Sequence, residues 1–256
     1  MTPAITPDWS ALDQELEAWQ QAGLQLPLWW RDDDATEVTP QLQQLTETAQ
    51  RLGLPVHLAI IPRDAQPELA RHLQNTADLI PVVHGWAHKS HAPEGEKKAE
   101  FGAHRPVQDM LGEAEAGLER LKSFFGSSLR PMFVPPWNRI APEILPWMAG
   151  LGYCALSTFT PRSRTKAAPG LVQINTHLDP IDWKGSRSLL PEAQLIAQVA
   201  SQLKDRRQGR ADTREPYGIL THHLVHDDRI WGFTETLIAR LLAGPAMAWT
   251  YDERIS

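Results

Sequence analysis

Alternation is the feature that most constrains this chain. Short apolar runs with strand character alternate with segments of helical periodicity from one end to the other. Residues 26–30, 54–61, 79–83, 131–134, 152–158, 171–175, 217–221 and 246–249 read as strands. Residues 9–21, 40–52, 67–75, 107–125, 142–149, 191–206 and 234–242 read as helices. Thr6-Pro7-Asp8 and Thr39-Pro40 are helix starts, while Gly23, Gly53 and Gly126 are stops. Residues 94–105, 160–169 and 208–215 are polar and read as surface loops. Strand followed by helix, repeated in this way, predicts an α/β fold with a parallel sheet or a (β/α) barrel. No internal repeat or low-complexity stretch breaks the pattern, so the 256 residues are expected to form a single domain, with residues 1–24 as an N-terminal helical extension.

In parallel α/β architectures functional side chains gather where strands end. Here polar clusters follow the strands that end near residues 30, 83, 134, 175 and 221. The first is Arg31-Asp32-Asp33-Asp34. The second, His84-Gly85-Trp86-Ala87-His88, carries two histidines that one helical turn would place on a common face. Two imidazoles and one carboxylate make a three-ligand metal site with positions left for water and substrate. A further carboxylate could act as base. His222-His223, with His226-Asp227-Asp228 behind it, offers a general acid; Asp179-Pro180-Ile181-Asp182-Trp183 offers a carboxylate to orient it. Met132-Phe133-Val134-Pro135-Pro136-Trp137-Asn138 would form a stiff wall. Each cluster alone also has a structural reading, as a solvated turn, a helix cap or a strand exit.

Composition removes other classes. A formal charge of -6 argues against nucleic acid or an anionic membrane as partner. The one cysteine, Cys154, excludes an internal disulfide and a thiolate cluster, and it reads as a small buried hydrophobe. The first residues lack the pattern of a secretory signal and no apolar run reaches the length of a membrane span, so a soluble cytoplasmic protein is expected. Of the ten tryptophans, most are expected in the core, with some free to face sugar rings.

Taken in order, Asp-Asp, His-x-x-x-His, Phe-x-Pro-Pro-Trp, Asp-Trp and Leu-x-His resemble the motifs of the polysaccharide deacetylases, the NodB-homology family or carbohydrate esterase family four. The resemblance spans residues 28–223. It implies a distorted (β/α) barrel of about seven parallel strands. It also implies a divalent metal, zinc first, with cobalt, nickel, iron and manganese as alternatives, and hydrolysis of acyl groups on sugars. His84 and His88 would be metal ligands. Two registers remain for the acids: Asp33 as base with Asp34 as ligand, or Asp32 with Asp33. The first is preferred, because Ala35 replaces a turn glycine better than an aspartate does. The family's third motif begins with an arginine that pairs with the base, and here that position is Val134. Arg31, two residues before Asp33 and so on the same strand face, could supply the charge. The resemblance further implies Trp137 N–H as an oxyanion donor with Pro136 setting its approach, Asp182 as the orienting carboxylate, Trp183 and Leu220 against the substrate, and His222 as the acid. His223 and Asn138 depart from the pattern and mark a divergent chain.

The leading expectation is a metal-dependent hydrolase acting on a small-molecule or oligosaccharide substrate. Two alternatives stand beside it: a glycan-binding protein that has lost turnover, and an Fe(II) oxygenase using two histidines and a carboxylate. Gly85, at the position a glutamate would need, excludes a His-Glu-x-x-His protease. The sequence does not indicate an oligomeric state.

Overall fold

The structure is a computed structural model and describes residues 7–252; Thr6 of the expected helix start and the rest of residues 1–6 lie outside them. Strands β1 (Leu26–Ala35), β2 (Val56–Ile60), β3 (Leu79–His84), β4 (Met132–Val134), β5 (Ala155–Leu156), β6 (Lys166–Ala168), β7 (Leu171–Gln173), β8 (Tyr217–Thr221) and β9 (Ala246–Ala248) form one sheet. Helices α1 (Ser10–Gln21), α2 (Pro40–Leu52), α3 (Pro67–Leu73), α4 (Val107–Phe125), α5 (Leu145–Met148), α6 (Glu192–Arg207) and α7 (Asp228–Ala243) alternate with them. The sheet runs β6-β7-β5-β4-β3-β2-β1-β8, with β9 also on β1. All its ladders are parallel except β6 with β7. Beyond β7 the chain makes single bridges, Phe159 to Thr176 and Leu178 to Ile219. The first extends the β5–β7 pairing, and the second joins the chain beyond β7 to β8 through one isolated bridge rather than a continuous ladder.

The local chemistry of α2 shows how sequence sets these boundaries. Pro40 occupies the first turn, Thr39 Oγ1 accepts from Leu42 N at 3.0 Å, and Gly53 closes the helix in the left-handed region at φ 65°. Strand alternation then divides the apolar residues into two cores. Trp29, Ala59, Val82, Met132, Val134, Ala155 and Ile174 pack together on the inner face, with half-buried Cys154 against them. Leu28, Trp30, Leu58, Val83 and Ile219 face the helices in the larger outer core, which also takes in Trp9, Leu12, Leu16 and Trp19 of the N-terminal segment.

Three expectations need correction. The polar stretch 94–105 is not all surface, because Ala99, Glu100 and Phe101 are buried. The basic loop 160–169 contains β6, an antiparallel edge strand. The last helix begins at Asp228, well before Thr234, because Asp227 caps it by accepting from Ile230 N at 2.9 Å. Among the described residues no helix is long and apolar enough to cross a membrane.

His57, buried on the inner face beside Trp29, is a satisfied core histidine. Its Nδ1 lies 3.2 Å from Trp30 O and its Nε2 accepts from Tyr251 N at 3.0 Å. Burial pulls its pKa down to about 4. Between that value and the unfolded value the unfolded chain binds the extra proton, so stability is retained above the window and lost as pH falls through it. Unfolding free energy should drop by about 2 kcal/mol from this group between about pH 8 and about pH 5. Urea midpoints for wild type and His57→Gln across that range test it: the variant should have a flatter profile, and parallel profiles would refute the assignment.

Candidate active site

The site is built first on β1. Its inner-face residues Trp29, Arg31 and Asp33 alternate with the outer-face residues Trp30 and Asp32. Asp32 consequently leaves the inner face: its carboxylate accepts from Thr221 Oγ1 at 2.6 Å and His223 N at 2.9 Å, and is paired with the His223 ring. Alternation would send Asp34 outward too. A register irregularity between Asp32 and Ala35, with Asp34 at φ 79°, breaks the period. A bulge of this kind re-aims a side chain. Two consecutive aspartates therefore serve one site.

Asp33 is held by Arg31, which donates Nε to Oδ1 at 2.9 Å and Nη2 to Oδ2 at 3.0 Å. The guanidinium is fully buried, and its remaining donors go to Ser157 Oγ at 2.7 Å, Thr158 O at 3.3 Å and Asn138 Oδ1 at 2.7 Å. Every N–H of a buried charge is thus satisfied, which is the condition for tolerating it there. Val134, at the position where the motif has arginine, is an inner-core residue.

Asp34 meets the histidines. Its Oδ1 lies 3.0 Å from His84 Nε2 and 3.2 Å from His88 Nε2. The two histidines do not share a helical turn as expected. His84 ends β3, Gly85 turns the chain at φ 55°, and His88 sits in the following loop at φ 51°. The ring of His84 is oriented by its Nδ1, 3.0 Å from Val134 O, which leaves Nε2 toward Asp34. Burial would raise the Asp34 pKa, but hydrogen bonding to His84 and the charges of His84, His222 and His88 outweigh it and hold the carboxyl well below its usual range. One carboxylate and two imidazole nitrogens, all within 4.8 Å of one another, can hold a metal ion. Bonds of 2.0–2.1 Å in a tetrahedral site put ligand atoms about 3.3 Å apart, so the donor set fits a zinc-sized ion.

The wall expected after β4 follows as a tight turn, Pro136–Asn138, with Trp137 in the left-handed region at φ 56°. Its indole lies 4.3 Å from the His88 ring, centroid to centroid. A bulky residue in that conformation is strained, and such strain persists where surrounding structure imposes it. Pro136 is buried, packed beside Gly85.

From β8, Leu220 pairs in register with Arg31 and is buried on the inner side. His222 follows it, edge-on to Trp183 at 4.7 Å. Asp182 is not brought to His222. An Ile181–Leu189 bridge makes residues 182–187 a turn, and the Asp182 carboxylate is spent capping it, accepting from Gly185 N at 3.0 Å and Ser186 N at 2.9 Å. Asp179 is the carboxylate of this segment that binds Trp183. It accepts from Trp183 Nε1 at 2.7 Å, and burial raises its pKa against the opposite pull of His222. The residue pattern alone offered both aspartates, and the resemblance pointed to Asp182. The partners of Arg31, Ser157 and Asn138, and the buried Asp32–His223 pair carried no sequence signal of their own, since each contact joins distant segments.

No protein-family model and no curated protein matches the sequence. Solved structures do match. T48 deacetylase, determined with substrate, superposes with a TM-score of 0.54 at 14% identity over 90% of each chain. A family 4 carbohydrate esterase from Streptomyces lividans, in complex with acetate, gives 0.51 at 14% identity, covering 90% of this chain and 94% of that one. A peptidoglycan deacetylase from Bacillus subtilis gives 0.53 at 14% identity, covering 88% and 87%. The α/β architecture, its mostly parallel sheet and the course of the chain therefore identify the fold as that of the NodB-like polysaccharide deacetylases and family 4 carbohydrate esterases.

Proposed function

We propose that this protein is a metal-dependent hydrolase that removes an acetyl or other small acyl group from an N-acylated sugar. The observation that carries the reading is the meeting of Asp34, His84 and His88 with the Arg31-bound Asp33 at one end of a deacetylase-like sheet. A divalent ion, zinc first, held by Asp34, His84 and His88 would supply Lewis acidity that acidifies water and polarises a carbonyl.

The chain's own groups divide the remaining work. Asp33 takes the proton of the attacking water; Arg31 fixes the carboxylate and leaves a lone pair on each oxygen for that purpose. Trp137 N–H donates to the developing oxyanion, with the left-handed turn after Pro136 setting its direction. His222, edge-on to Trp183, gives a proton to the departing amine. Leu220 forms an apolar floor, and Trp183, 37% exposed, offers an indole face to the sugar. The products are the free amine and the carboxylic acid.

The test is acetate release from a panel of N-acetylated mono- and oligosaccharides by the zinc-loaded protein. Acetate and free amine should appear in equal amounts, stop on chelation and return with added metal. Retained glycan binding, unaffected by Asp33→Asn and without acetate from any substrate, would replace this reading with a binding protein.

A further inference from the structure

His88 stands in a loop, and neither Asp34 nor His84 explains why that loop holds its shape. The residues around it point to Glu100. This glutamate is fully buried between Ala99 and Phe101, in a stretch whose other residues are mostly polar and exposed. Its carboxylate reaches across to the loop between the two histidines: Oε2 accepts from Trp86 N at 3.1 Å, and Oε1 accepts from Ala87 N at 2.7 Å and from Lys89 N at 3.4 Å. The bonds bracket His88 on both sides. Gly85 makes the approach possible, since a Cβ there would lie 2.3 Å from Glu100 Oε2 and 2.5 Å from Pro136 Cδ. Glycine at this position therefore meets two demands at once, a positive φ and room for the carboxylate.

Glu100 is itself fixed from behind. Its carbonyl accepts from Arg105 Nη1 at 3.0 Å, and Arg105 grips Glu113 of α4 with both nitrogens, at 2.7 and 2.8 Å. The next residue, Phe101, is buried against Phe133 and bridges to Ile140. A continuous path thus runs from a long helix through a buried carboxylate to the backbone that presents His88.

We propose that Glu100 is a positioning residue for the metal centre, holding the His88 loop in ligating geometry through its backbone amides. The inference rests on the metal-binding reading of Asp34, His84 and His88. The carboxylate supplies acceptors to amides that would otherwise have to be satisfied by a rearranged loop, and a displaced loop takes His88 away from Asp34. Glu100→Gln retains the shape but turns one acceptor into a donor facing an N–H.

The experiment is titration of the metal-free protein with Zn2+ and with Co2+, following affinity and the cobalt visible spectrum, for wild type and Glu100→Gln, with thermal melts of both metal-free proteins. Affinity is expected to fall ~10–100-fold in the variant, with an altered cobalt spectrum. The melt of the metal-free variant reports folding separately, and a structural role alone would move the melt without altering the spectrum. Should Glu100→Gln fail to fold, Glu100→Asp applies the same test, because it keeps the charge and withdraws the acceptors from the loop amides by one methylene. Unchanged affinity and spectrum in a folded variant overturn the proposal and leave the metal centre standing. Wild type that binds neither ion overturns the metal reading and this proposal with it.

Discussion

Replacing His84 and His88 together by alanine should abolish divalent-metal binding and, with it, acyl hydrolysis. Both imidazoles point Nε2 at the same Asp34 oxygen, within 3.2 Å, so their removal leaves one carboxylate oxygen where three ligand atoms stood. A single exchangeable carboxylate does not retain zinc through dialysis. The loss in metal affinity should exceed the ~10–100-fold that follows from disturbing an outer partner. Metal content per chain after loading and dialysis, measured for wild type, the double variant and Asp33→Asn, is the check. Asp33→Asn should keep its metal while losing turnover, because Asp33 is engaged by Arg31 rather than by the histidines. A double variant that still carries one ion per chain would place the centre elsewhere.

Arg31→Met should cost both stability and turnover. The substitution removes every partner of the Asp33 carboxylate and leaves a buried charge, at a cost of about 3–5 kcal/mol. It also orphans Ser157 Oγ and Asn138 Oδ1 as acceptors, loosening the turn that carries Trp137. Turnover falls because Asp33 loses the group that fixes its orientation. A double-mutant cycle separates the pair from its surroundings: Arg31→Met/Asp33→Asn should be markedly more stable than Arg31→Met alone, as both charges are then gone. Full turnover in Arg31→Met would show that Arg31 does not stand in for the arginine missing at Val134.

Much of the fold was legible because its cues are local. Thr39-Pro40 and Gly53 mark the ends of α2 by capping geometry, and residues 107–125 and 217–221 coincide with α4 and β8 because periodicity and flanking breakers agree there. Edges were less legible. Residues 152–158 form only a two-residue ladder at Ala155–Leu156, then pair singly through Phe159, because a strand's length depends on its neighbours and not on its own apolar run. β6 was hidden in a basic loop because an edge strand needs no apolar face.

The site divides in the same way. Residue types and their order along the chain put a triple aspartate, a histidine pair and a Leu-x-His at strand ends, and that much follows from sequence alone, since strand ends gather in any parallel sheet. Which aspartate does what does not follow. A period of two sends Asp32 to the outer face, and only the bulge at Asp34 returns the next carboxylate to the inner one. The turning of Asp182 away from His222 was made by a bridge between Ile181 and Leu189, and the support of the His88 loop by a glutamate folded in from a polar segment. Sequence determined the chemistry available and the end of the sheet where it collects, because hydrophobic period and chain direction are local properties. Tertiary structure decided the pairings, because a hydrogen bond between distant segments exists only once the backbone has brought them within about 3 Å.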